Sequence, residues 1–161
     1  MMFPEPTAAH RWLDRLVGEW SVTSRHAGAA DDAPAPPWTE SVRSLSGLWV
    51  VAEGRGEMPD GGGPATTLVT FGYDPGRQRY VGTWVASMMT HLWLSEGTLD
   101  ASGRVLTLAS EGPDFETEGA LARYQDIITI EDDDHRTLTA SVLAGDGTWK
   151  PLMAAHYRRI A

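Results

Sequence analysis

The sequence predicts an all-β protein: a single closed antiparallel up-and-down β-barrel of about ten strands with a short N-terminal helix, one domain over residues 1–161. Three observations lead there. Short apolar runs separated by glycine-, proline- and aspartate-rich turns succeed one another from Glu19 to Ile160. No alternation of strand and helix patterns appears, so a parallel sheet is not expected. About ten short strands laid out flat would also expose two unpaired edges, which closure removes. A barrel of this size holds more space than its own inward side chains fill. The fold therefore implies a cavity, and the cavity a ligand.

The helix comes first. Ala9, Trp12, Leu13 and Leu16 recur at i, i+3, i+4 and i+7 as one apolar stripe, with His10, Arg11, Asp14 and Arg15 on the polar side. Pro4 and Pro6 discourage helix before Thr7, the expected N-cap. Gly18 supplies the left-handed residue that ends the helix after Val17. Trp20 then opens the first strand, Glu19 to His26, as a large apolar anchor. The stretch Ala27 to Pro37 carries no side chain fit for a core and reads as an exposed, mobile loop and a candidate lid.

Trp38 to Ser46 and Leu48 to Met58 follow as strands two and three, joined tightly through Ser46 and Gly47. Pro59 to Pro64 is a turn, and Ala65 to Tyr73 is strand four. In the next turn Pro75 presets φ and Gly76 accepts a positive value. Arg79 to Ala86 and Met88 to Thr98 form strands five and six. Asp100 to Gly103 turns the chain into strand seven, Val105 to Glu111, and Gly112 to Asp114 opens another loop. Strands eight to ten run Ala120 to Glu131, His135 to Ala144 and Thr148 to Ile160, with Asp132 to Asp134 and Gly145 to Gly147 as the turns between them.

Composition narrows the function. The net charge of -9 argues against nucleic acid or an anionic membrane as partner, since both reward a surplus of Lys and Arg. Cysteine is absent, which removes disulfides, thiolate zinc sites and Cys nucleophiles together. The first six residues have neither a basic region nor an apolar core, and no apolar run reaches the roughly 18 residues of a membrane span. A cytoplasmic location is the expectation.

Chemistry is sparser than architecture. On strand three both faces begin apolar, so alternation does not say which way Glu53 points. Turned inward it needs a partner, and Arg43 on the neighbouring strand is the natural one. That pair is either structural or a polar anchor for a ligand. His91 lies within Met88 to Trp93, with Met89 and Trp93 on its face; such a histidine either binds haem iron, orients a ligand, or is a core residue satisfied by a neighbour. His26 and His135 read as surface residues at strand ends. No metal-binding spacing, nucleophile elbow or P-loop is present, and the run Asp132 to Asp134 lacks the glycine and closing glutamate of a calcium loop. Strands five and six carry apolar residues on both faces: Tyr80, Trp84 and Ala86 against Val81 and Val85, then Met89 and Trp93 against Leu92 and Leu94. One wet face is the rule for such a sheet. Either the N-terminal helix or a second subunit is expected over the other, with Trp84 or Trp93 at a homodimer contact.

Several blocks in order resemble the bacterial domain of unknown function 1579 family: Leu16 to Trp20, Glu40 to Leu45, Gly47 to Glu53, Gly72 to Pro75, Ser87 to Trp93, Glu111 to Pro113 and His156 to Arg159. The resemblance spans about His10 to Arg159. It implies a lipocalin-like (calycin) barrel and no established activity. It also implies that Trp20 stacks with an arginine of the last strand, Arg158 or Arg159, sealing one barrel end as a fold element. Some haem-binding relatives of this barrel class place a proximal histidine late in the chain, which brings His156 beside His91 as a haem candidate.

The reading that follows is a non-catalytic protein that binds a small, largely apolar molecule, without metal, inside the barrel. Arg43, Glu53, His91, Trp93 and Tyr124 are its candidate ligand-binding residues. The alternatives are a haem protein using His91 or His156, and an enzyme on a hydrophobic small molecule with Glu53 or Asp126 as the base. A module that binds partners through the barrel exterior is the remaining one.

Overall fold

The computed structural model describes residues 2–30 and 35–161. Ten strands follow a short helical segment: β1 (Gly18–His26), β2 (Trp38–Leu45), β3 (Trp49–Glu57), β4 (Pro64–Asp74), β5 (Arg79–Ala86), β6 (Trp93–Leu99), β7 (Val105–Pro113), β8 (Leu121–Asp132), β9 (His135–Leu143) and β10 (Trp149–Arg159). Each pairs antiparallel with its neighbours in sequence, and β1 also pairs with β10, so the sheet closes. The expected closed meander is the observed fold. Two bulges interrupt the ladder, one in β10 between Pro151 and Met153 and one in β8 between Ile130 and Asp132. The first follows a proline, which has no N–H to donate.

The helix is shorter than the periodicity predicts. α1 (Ala8–Trp12) gives way to a 3-10 turn over Leu13–Leu16. In 3-10 geometry residues three apart eclipse one another, which sets Leu13 and Leu16 on the same side. Both are fully buried against the barrel. His10, expected on the polar face, is buried instead. Its Nδ1 accepts from the Thr7 amide at 3.0 Å, and its ring meets Tyr73 edge-on at 5.7 Å. The segment plugs one barrel end: the Trp12 indole donates to the Gly103 carbonyl at 2.7 Å, and the Tyr80 hydroxyl donates to the Ala9 carbonyl at 2.8 Å.

Gly18 falls one step beyond its expected place, opening β1 rather than capping the helix. Its φ of +139° suits glycine, and a Cβ there would collide with the Arg159 guanidinium. The sixth strand also starts late. Ser87 to Leu92 is a connection, and pairing begins at Trp93. β7 in turn runs on through Gly112 to Pro113, where a loop was expected.

Candidate functional site

The plugged end holds a cluster of charges and rings. Trp20, fully buried, donates from its indole to the Leu16 carbonyl at 2.9 Å. It faces Arg159 on β10 and Glu40 on β2 in register. The Arg159 guanidinium carbon sits 4.3 Å above the Trp20 ring, and its nitrogens donate to the carbonyls of Val17 and Asp133. Arg158 points to solvent from the other face of β10. A second arginine shares the site. Arg136, on β9, lies 4.7 Å from the Trp20 ring centre and 4.0 Å from that of Tyr157, and its Nη2 donates to Glu40 Oε1 at 2.9 Å. Arg136 is buried and the Glu40 side chain is only 12% exposed. Charges taken this far from water persist only when paired, so Glu40 and Arg136 hold each other in place.

Above this floor lies a cavity of about 730 Å³. Strand alternation builds its wall: inward side chains include Val22, Val42, Val50, Ala52, Val69, Phe71, Leu108, Ile128, Leu138 and Ala155, with Leu16 from the plug below. Toward the opposite end the lining becomes aromatic and sulfur-rich, with Trp38, Trp84, Met88, Met89, Trp93, Phe115 and Tyr124. The Trp93 ring packs where any side chain at Gly112 would collide with it. It meets Tyr124 edge-on at 5.1 Å, and its indole donates to Met89 Sδ at 3.1 Å. The rim is formed by the end of β1 and by connections between strands: Arg25 and His26, then Ala29, Ala35 and Pro36, with Met58 and Pro59 also lining it. The candidate lid, residues 27–37, falls partly outside the described residues, at 31–34.

Of the five candidate ligand contacts, Trp93 and Tyr124 reach the cavity. The Tyr124 hydroxyl is already committed to the Pro113 carbonyl at 2.5 Å, so it presents a ring face rather than a free hydrogen-bonding group. Arg43, Glu53 and His91 do not line the cavity. On β3 the inward side is Val50, Ala52 and Gly54, which turns Glu53 outward, where Arg55 forms its ion pair. Arg43 is exposed opposite Val51 and does not meet Glu53. His91 sits in the connection before β6, its ring edge-on to Trp93 at 4.7 Å and its Nε2 3.4 Å from the Glu111 carbonyl. His156 lies on the outside of β10, stacked on His135 at 5.3 Å with their ring nitrogens 3.1 Å apart. Neither histidine reaches the cavity, so the haem alternative built on them loses both axial ligands.

The cavity instead contains groups that the sequence left aside or weighed lightly. Asp126 on β8 points inward between Leu108 and Ala140 in register, and its carboxylate has no hydrogen bond or ion pair among the described residues. Burial in this apolar wall pushes its pKa up to about 6. Tyr157 is buried above Arg136, and desolvation, with the Glu40 charge adding to it, raises its phenol far above the ordinary value. The Glu40–Arg136 pair joins residues 96 apart in sequence. Its only signal in the sequence is a charge on the inward phase of each strand.

Trp84 and Trp93, expected at a homodimer contact, both face the cavity, because they pair with each other on the inward phase of β5 and β6. The helix plugs an end and does not cover these strands. What β4 to β6 expose outward are Leu68, Val85 and Leu94. Among the described residues no helix is long and apolar enough to cross a membrane.

A family model described as "Protein of unknown function (DUF1579)" matches residues 5–159. No curated protein is similar to the sequence. Among solved structures, the chain resembles Rv2717c from M. tuberculosis with a TM-score of 0.62 at 12% identity, over 98% of this chain and 100% of that one. It also resembles the S-type phycobiliprotein lyase CPES from Guillardia theta, with a TM-score of 0.60 at 13% identity, over 96% and 94% of the two chains. At these identities the likeness is one of fold, the lipocalin-like barrel.

Proposed function

Since the chain belongs to the DUF1579 family of proteins of unknown function, a membership that brings no activity with it, we propose from the cavity itself that the protein binds a small, largely apolar molecule and does not transform it. The carrying observation is the cavity: about 730 Å³, walled by aliphatic and aromatic side chains, with a few polar groups converging on it. Ligand sites commonly span about 300–1,000 Å³ and have this makeup. Trp93 and Tyr124 supply ring faces to the ligand. Against catalysis stands the isolation of Asp126. A general base needs a reacting group placed by neighbours, and no second functional side chain lies within hydrogen-bond distance of its carboxylate among the described residues. The enzyme alternative keeps Asp126 as its base and loses Glu53. A cytoplasmic location and a homodimer held through the outward Leu68, Val85 and Leu94 belong to the same proposal.

The direct test is uptake of a neutral fluorescent probe, N-phenyl-1-naphthylamine, with native mass spectrometry of the purified protein alongside. Expected is saturable, one-to-one enhancement of probe fluorescence, weakened when Ala140→Trp narrows the cavity. A folded wild type that takes up no probe would overturn the reading.

A further inference from the structure

Among the described residues, the cavity holds one charged group without a partner. Its charged lining groups are Arg25, His26, Glu40, Asp126 and Arg136. Glu40 and Arg136 neutralise each other at the floor. Arg25 and His26 stand exposed at the rim, Arg25 donating to the Ala30 carbonyl at 3.0 Å. Asp126 is part-way up the wall, between the two. Along its own strand its inward neighbours are Tyr124 toward the rim and Ile128 toward the floor; across the ladder they are Leu108 and Ala140. None of these donates a hydrogen bond to it.

Resting on the cavity as a binding site, we infer that its ligand is an organic cation: an apolar body carrying one protonated nitrogen, which pairs with the Asp126 carboxylate beside the rings of Tyr124 and Trp93. Three arguments converge. First, with the floor pair cancelled and Arg25 and His26 exposed at the rim, Asp126 is the one unpaired charged group on the inner wall among the described residues, and its complement is a positive charge. A carboxylate ligand would meet repulsion at the same place. Second, rings attract cations through their faces, most strongly where water is excluded, and Tyr124 stands two residues from Asp126 on the same inward phase. Third, a chain with a net charge of -9 gathers cations toward its surface and repels anions.

A neutral ligand with a hydrogen-bond acceptor is the rival, since a protonated Asp126 would donate to it. The two are separated by pH. Only burial holds the Asp126 proton, up to about 6, so above that value the rival loses its donor while the cation gains its counter-charge. The groups facing Asp126 from the packed strands are Tyr124 on β8, Tyr157 on β10, and Glu40 and Arg136 from β2 and β9; His26 lies nearer the rim.

The experiment displaces N-phenyl-1-naphthylamine with three probes of equal chain length, decylammonium, 1-decanol and decanoate, at about pH 7.5 and about pH 5. Expected at the higher pH is decylammonium binding about ten-fold or more tightly than decanol, the size a charge-assisted hydrogen bond commonly adds, and decanoate weakest. The preference shrinks at the lower pH. Asp126→Asn, the same shape without the charge, abolishes the preference and still binds decanol. Equal binding of decylammonium and decanol to the wild type, or an ammonium preference surviving in Asp126→Asn, would overturn the cation and leave the cavity reading standing. Failure of the dye itself to bind would sink both.

Discussion

Asp126 and Glu40 are both carboxylates on the inner wall, and the barrel treats them in opposite ways. Glu40 has an ion-pair partner, Arg136, 2.9 Å away. Asp126 has no hydrogen-bond or ion-pair partner among the described residues, and burial raises its native pKa to about 6, above the 3.8 of an ordinary aspartate. The native state therefore holds this proton more tightly than the unfolded chain. Below about pH 4 both states are protonated and no penalty exists. Between about pH 4 and 6 the unfolded chain ionises first, and stability falls as pH rises. Above about pH 6 the loss is complete, roughly 2–3 kcal/mol at 1.36 kcal/mol per pKa unit. Asp126→Asn mimics the protonated form, so the variant should exceed the wild type in stability by about that amount near pH 7.5 and match it near pH 4. Urea unfolding across this range is the measurement, and a constant difference at every pH would contradict the desolvated carboxylate. A group that costs stability in the empty protein belongs to a class tolerated for what it does with a ligand.

At the scale of elements, the α1 plug is held by packing and by two long-range hydrogen bonds from aromatic side chains. Trp12 is 8% exposed and meets Tyr80 at 5.6 Å besides donating to Gly103. Trp12→Ala should lower stability by about 3–5 kcal/mol, as for other buried large-to-small changes. It should leave probe binding intact, because Trp12 is not part of the cavity wall. A loss under about 1 kcal/mol in chemical unfolding would mean that the plug is held elsewhere. The apolar stripe that places this plug was legible, because helix periodicity is local. So were the strands, whose turn residues mark nearly every hairpin. The faces were less so. β3 begins with apolar residues on both sides, and what decides the outward position of Glu53 is its pairing with Ser41 and Leu68, on strands that only folding brings together. The run Met88 to Leu92, expected as the start of strand six, differs for a related reason: its methionines line the cavity rather than a sheet face, and an apolar run looks alike in either role. Arg136 and Glu40, alone in their strands as charges on the inward phase, acquire meaning only from the barrel register.

The molecule as a whole has no free sheet edge, since β1 and β10 pair with each other, and two copies can meet only through side chains on the outside. Most outward positions are polar. Exposed apolar side chains also stand apart on other strands, Leu45, Trp49, Leu121 and Trp149 among them, but three adjoin one another: Leu68 pairs across with Val85, and Leu94 pairs with Thr83, two residues before Val85 on the same outer phase. They are 41%, 39% and 62% exposed, and nothing else among the described residues packs over them, because α1 occupies a barrel end. Contiguous exposed apolar surface marks contact sites more often than chance places it on a monomer. Twofold pairing is the commonest closed symmetry, so the face on one copy should meet the same face on the other. Stability in solution requires about 1,000 Å² or more buried in total, which draws in the polar surroundings of this patch. Sedimentation at tens of micromolar should then find a dimer, and Leu94→Asp should convert it to a monomer that still takes up N-phenyl-1-naphthylamine, since Leu94 points away from the cavity. A wild type that sediments as a monomer would leave these three side chains as isolated surface residues and end the dimer proposal.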